Sequence, residues 1–307
     1  VRRLTLGLAL LLAALPARAE TLRVGPGQRF PTPSAAAAVA RPGDQVVIAA
    51  GEYRDCAVWR AADLGISAEG GAVVITGPAC AGKGLFVVSA PRVTVTGLTF
   101  RGAAVPDGNG AGIRAEGGTL TVRRSRFEGN ENGILTGPDE AATLRIEDSV
   151  FLGNGALRPG RDCAHGVYAG RLGALVILRS RFEGTRICHH VKSRALRTEL
   201  LDSQILDTPA GEASYLVDIP NGGALLLRGN LLRKGPRTGN AATAVALGFE
   251  RGRNPPGPIL VENNRFENLL PRPTRFVTSR LEQPAVLRGN RLSGPVVALE
   301  GKGQVGP

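Results

Sequence analysis

Residues 120–151 read LTVRRSRFEGNENGILTGPDEAATLRIEDSVF and carry one pattern twice. Alternating β-formers, Leu120-Thr-Val-Arg, lead into Ser125-Arg-Phe127. A second run, Leu144-Arg-Ile-Glu, leads into Ser149-Val-Phe151. Between them Asn130 and Asn132 mark turns, and Gly133-Ile-Leu is a second short strand. The unit recurs outward at Leu98-Thr-Phe100, Ser180-Arg-Phe182, Ser203-Gln-Ile205, Asn230-Leu-Leu232, Asn264-Arg-Phe266 and Asn290-Arg-Leu292. Intervals between the apolar members are 27, 24, 31, 23, 27, 34 and 26 residues. A period in the twenties with variable insertions is the mark of a solenoid. The two longest coils carry their extra residues at 155–162 and 250–258.

No long amphipathic helix separates the units, which disfavours a leucine-rich horseshoe. Stacked coils of short strands fit a β-helix, with the Phe/Ile/Leu series as one internal stack. Composition agrees. Aromatics are 4% against 43% hydrophobic residues, and 42 residues are Gly, so the core is Val, Leu, Ile and Ala and turns are frequent. A helical bundle is excluded on the same grounds. Open solenoid ends need caps, and Ser34–Ala40 is expected as a short N-terminal capping helix with Ser34 as N-cap. The tail, 301–307, reads as frayed.

The segment Pro42-Gly43-Asp44-Gln-Val46-Val-Ile48-Ala-Ala-Gly51-Glu-Tyr53 resembles the opening coil of pectate lyase superfamily proteins. That resemblance implies a single-stranded right-handed parallel β-helix over 20–307. The fold hosts lyases, hydrolases, epimerases and adhesins, so it leaves function open. It does explain the cysteines. Equivalent positions in neighbouring coils lie ~4.8 Å apart. Cys56 and Cys80 are 24 residues apart and Cys163 and Cys188 are 25, one coil each, so the expected disulfides are Cys56–Cys80 and Cys163–Cys188.

Arg2 and Arg3 precede an apolar stretch, Thr5–Leu15, and a small-x-small site at Ala17-Arg18-Ala19. This reads as a signal peptide over 1–19 and an exported protein, periplasmic or secreted, in which disulfides persist. No other stretch reads as a transmembrane segment. The 38 Lys and Arg against 26 acids leave a surface that attracts anions. Only four of the 38 are lysines, one of them Lys192. Export and the lack of an aromatic-rich basic groove argue against nucleic acid. A solenoid with capped ends is expected to be a monomer.

Polar residues concentrate in three consecutive second strands, at Asp162–Arg171, Arg186–Arg194 and Ser214–Gly223. With Val167, Val191 and Val217 pointing inward, alternation turns Tyr168, Lys192, Arg194 and Asp218 outward on one patch, with His190 beside them. His189 is expected to point inward or lie in a turn.

Two chemistries compete. Ala164-His165-Gly166 followed by Val191-Lys192 resembles motifs of polygalacturonase-type hydrolases. The preceding coils, however, lack the pair of acids that hydrolysis needs, and Glu116 alone cannot fill both roles. β-Elimination on a uronic acid needs a cation on the carboxylate, a base for the C5 proton and an acid for the C4 oxygen. Here Lys192 is the base, Arg194 holds the carboxylate, and Tyr168 or His190 is the acid. His165, Arg171 and Asp218 are expected to bind substrate, and Asp218 or Asp162 to hold any calcium ion. The expected partner is an anionic, uronic-acid-containing polysaccharide. The expected protein is a polysaccharide lyase, with a C5-epimerase or a glycan-binding β-helix as alternatives.

Overall fold

The computed structural model describes residues 19–250 and 254–307. The expected signal peptide, apart from Ala19, lies outside the described residues, as do residues 251–253 of the 250–258 insertion.

The chain winds into a right-handed parallel β-helix whose cross-section has three walls. Two walls form one 20-stranded sheet, joined where the long strands Gln45–Arg54 and Leu64–Thr76 run across both. The third is a separate ten-stranded sheet running from Ala57–Trp59 to Val296–Glu300. Every ladder pairing between these strands is parallel and one coil apart, as the sequence period requires.

The first wall places Leu120, Leu144 and Leu175 in register and buries them. The second wall carries the stack the sequence predicts: Phe100, Phe127, Phe151, Phe182, Ile205, Leu232, Phe266 and Leu292 pair in order, the first seven buried and Leu292, near the C-terminal end, exposed rather than internal. Ring centroids of Phe127–Phe151 and Phe151–Phe182 are 4.6 and 4.4 Å apart and nearly parallel. Such pairs contribute about 0.5–1.5 kcal/mol each beyond their burial.

The polar member of each repeat has an equally regular task. Ser125 N–H donates to Ser149 Oγ, Ser149 to Ser180, Ser180 to Ser203, Ser203 to Asn230 and Asn230 to Asn264, at 2.9–3.2 Å. The residue just before each is left-handed (Arg124, Asp148, Arg179, Asp202, Asn263, and glycine at 229), which turns the chain from the first wall into the second. The ladder satisfies buried backbone donors that a corner otherwise orphans.

Both disulfides form, with Cα–Cα distances of 5.4 Å for Cys56–Cys80 and 6.0 Å for Cys163–Cys188. The capping helix is shorter and starts earlier than the sequence predicts. It spans Pro33–Ala37 with Thr32, not Ser34, as N-cap, because Pro33 is suited to the first turn and Thr32 accepts the Ala35 N–H. The tail is not frayed: Gly303–Val305 pairs with Ala285–Leu287. Among the described residues no helix is long and apolar enough to cross a membrane.

Candidate functional site

Three short strands of the ten-stranded wall build the site: Val167–Ala169, Val191–Ser193 and Val217–Ile219. Val167, Val191 and Val217 pair in register and are fully buried, so the register also fixes the outer row. That row is Tyr168, Lys192 and Asp218, one residue per coil. Arg194, just past the middle strand, folds back over the row. Its Nε donates to Tyr168 Oη at 2.9 Å, and its Nη1 donates to Asn221 Oδ1 at 2.5 Å. Lys192 Nζ and the Arg194 guanidinium lie 5.9 and 5.8 Å from the Tyr168 ring centre. The sequence-based face assignment therefore brings Tyr168, Lys192, Arg194 and Asp218 together.

The remaining assignments do not all follow. His190 is not beside the patch. It is completely buried, with Nδ1 sharing a hydrogen bond with Thr185 Oγ1 at 2.7 Å and Nε2 with Asp207 Oδ1 at 2.9 Å. His189 takes the place at the site. The cause is local: both histidines precede the strand, and Cys188 has φ of +72°, so strand alternation does not extend back to them.

His165 is also buried, at 2% exposure, and lies behind the row rather than on it. Its ring meets the Tyr168 ring edge-on at 5.4 Å and stacks on His189 at 4.9 Å; His189 in turn stacks on Tyr215 at 4.9 Å. His165 Nδ1 accepts the His189 N–H at 3.2 Å, and His189 Nδ1 accepts the Tyr215 N–H at 3.1 Å. Burial first, and the cations Lys192 and Lys234 next, push His189 down to about 3; burial and His189 push His165 well below the usual histidine range. Both rings are neutral at pH 7. With Nδ1 accepting, the proton of His189 sits on Nε2, which lies 3.5 Å from Asp218 Oδ2.

Asp218 is 3% exposed. Its Oδ2 is 3.4 Å from Lys192 Nζ, and its Oδ1 is buried with no hydrogen-bond partner among the described residues. Burial pushes its carboxyl up to about 6, against the counter-pull of Lys192. Asp162 is exposed and sits on the rim of a neighbouring cavity with Arg171, which pairs with Glu140 at 2.7 Å. The two aspartates do not fit a calcium site. Among the described residues no group of three His, Cys, Asp or Glu side chains is arranged to hold a metal ion, and Lys192 already faces Asp218.

Glu250 is a site residue that strand periodicity does not reveal. It arrives from an insertion 58 residues beyond Lys192. Its Oε1 accepts from Lys192 Nζ at 2.6 Å, and its Oε2 accepts from Arg194 Nη2. Burial pulls its pKa up, but the hydrogen bonds from Lys192 and Arg194 outweigh this and hold it below the usual carboxylate range. Within the same insertion, Asn254 Nδ2 donates to the carbonyls of Arg194, Ala195 and Gly222 at 2.9–3.2 Å, fixing the chain against the Arg194 turn. The Cys163–Cys188 disulfide ties the corners that carry His165 and His189.

The arrangement holds a carboxylate between an ammonium and a guanidinium, with a phenol alongside. Arg194 Nε donates to the Tyr168 oxygen, so the phenol keeps its own proton to donate.

No family model and no curated protein matches the sequence. Among solved structures, an alginate lyase from Paenibacillus sp. str. FPU-7 is similar over 92% of this chain and 99% of its own, with a TM-score of 0.64 and 17% identity. A PL6-family alginate lyase matches over 95% of this chain and 40% of its own, with 16% identity and a TM-score of 0.42. A pectin methylesterase mutant bound to a hexasaccharide matches over 92% and 81%, with 10% identity and a TM-score of 0.34. The likeness to the first is one of fold.

Proposed function

We propose that this β-helix acts on a uronic-acid-containing polysaccharide outside the cytoplasm and cleaves it by β-elimination. The observation that carries the reading is Glu250: the Lys192–Arg194 pair is spaced to take both oxygens of one carboxylate. A uronate carboxylate presented to the same pair in place of Glu250 meets the charge neutralisation that makes its C5 proton removable. Arg194 keeps the positive charge on the carboxylate; Lys192, having released its ammonium proton to solvent, takes the C5 proton with its free amine, and Tyr168, whose oxygen is held by Arg194, gives its proton to the departing C4 oxygen. His190 is buried away from this face, which leaves Tyr168 as the acid. Asp218 and the neutral His189 lie behind Lys192 and fix its position. The 0.64 structural likeness to an alginate lyase fits this reading. Two disulfides fit a location outside the cytoplasm.

The test is absorbance of unsaturated uronate with alginate, polygalacturonate, chondroitin and a glucuronan. A rise with at least one polymer is expected. No rise, with C5 proton exchange into solvent, would replace the lyase by an epimerase. No rise and no exchange, with salt-sensitive binding of the polymer, would leave a glycan binder.

A further inference from the structure

Beside the site, toward the N-terminal end of the solenoid, is a cavity of about 400 Å³, within the roughly 300–1,000 Å³ range of small-ligand sites. Its lining includes Arg114, Leu135, Tyr168, Arg171 and Arg194. It thus shares Tyr168 and Arg194 with the catalytic face and adds two further guanidinium groups. The outer row explains the position of Arg114: Tyr168 pairs with Leu135, and Leu135 with Arg114. Arg114 is therefore two coils from Tyr168, about 9–10 Å. In the other direction the row continues as Ala246, Thr278 and Glu300, with no cation.

Arg114 is not consumed by its own ion pair. Its Nε is 2.6 Å from Glu116 Oε1, but the N–H is not aimed at that oxygen, and both buried atoms lack an aligned hydrogen bond. Glu116 has a second cation, Lys83, at 2.5 Å. Arg114 can turn to a ligand without stranding the acid.

We infer that this cavity is a second acidic-sugar subsite, in which Arg114 and Arg171 bind the carboxylate of a sugar next along the chain from the one held by Lys192 and Arg194. The inference rests on the polyuronate reading above and adds direction and length to it. The preferred ligand has acidic sugars close together, and it extends from the catalytic face toward the N-terminal end. One sugar cannot bridge two coils' separation plus the Arg194 fork, so a monomer gains nothing from Arg114.

The experiment is calorimetric binding of glucuronate, tetramannuronate and tetragalacturonate to the wild type and to Arg114→Ala and Arg171→Ala. At least one tetramer should bind the wild type about tenfold or more tightly than the monomer. Arg114→Ala should remove most of that advantage and leave monomer affinity unchanged. If Arg114→Ala fails to fold, Arg114→Lys, which keeps charge and stem but loses the fork, carries the same test. An undiminished tetramer advantage, or equal weakening of monomer and tetramer, overturns the subsite. Loss of the advantage in a protein that produces no unsaturated ends upholds the subsite while sinking the lyase. Failure of every uronate to bind the wild type sinks both.

Discussion

On the two walls of the 20-stranded sheet, outward arginines and glutamates settle one another. Glu147 sits between Arg123 and Arg145, Glu262 between Arg228 and Arg288, and Glu267 between Arg233 and Arg265. For Glu147, burial is outweighed by the two arginines, and its pKa falls. On the ten-stranded wall, Asp218 is more deeply buried than Glu147 and Glu267 and has no arginine to either side; its carboxyl is pushed up to about 6, and its Oδ1 has no hydrogen-bond partner among the described residues. The nearby Lys192 and Arg194 spend their hydrogen bonds on a half-exposed glutamate from an insertion. Repeated charge here is structural neutralisation. Charge that breaks the repeat, with a buried acid whose carboxyl is pushed up, distinguishes the candidate site.

Substitutions should separate the two walls. Arg194→Ala removes the guanidinium that holds both the carboxylate and Tyr168. Its turnover on the polyuronate should fall about 10²–10³-fold, measured as initial rates of unsaturated product. A change below threefold would place Arg194 with the structural arginines.

Asp218→Asn probes the buried acid through pH. In the folded protein Asp218 titrates near 6, against 3.8 for the ordinary group, so between about pH 4 and 6 the folded state holds a proton the unfolded chain has lost. Wild-type stability contributed by this group is complete below pH 4 and is lost as pH rises through 6. Relative to wild type, the variant should therefore gain up to about 3 kcal/mol between pH 4 and 7, read from paired thermal melts. A flat difference across that range would contradict the burial account.

Glu250→Gln removes the charge that competes for the Lys192–Arg194 fork. Glucuronate should bind about fivefold more tightly, or ~1 kcal/mol, by calorimetry. Weaker binding would make Glu250 part of the ligand's own site. The smallest effect is expected from Arg145→Ala on the first wall. Arg145 is 39% exposed and Glu147 keeps Arg123, so stability should change by about 1 kcal/mol or less and activity not at all.

Legibility in the sequence followed the same division. The Phe100–Leu292 series and the Ser or Asn two residues before each member from Phe127 on are properties of the period that each coil restates, and the two disulfides were legible because each pair is spaced by one coil. Tyr168, Lys192 and Asp218 were legible because they lie inside strands, where alternation is strict. His189 and His190 exchange roles because a left-handed Cys188 precedes them, and no repeat encodes that bend. Glu250 comes from an insertion with no counterpart in other coils. Arg114 sits on a strand, but only the assembled cavity shows what it lines.

The most direct test of the account is the unsaturated-uronate absorbance of Lys192→Ala beside wild type and Arg145→Ala, on whichever polymer the wild type cleaves. The account predicts full activity for Arg145→Ala and none detectable for a folded Lys192→Ala. Equal activity in all three would contradict it.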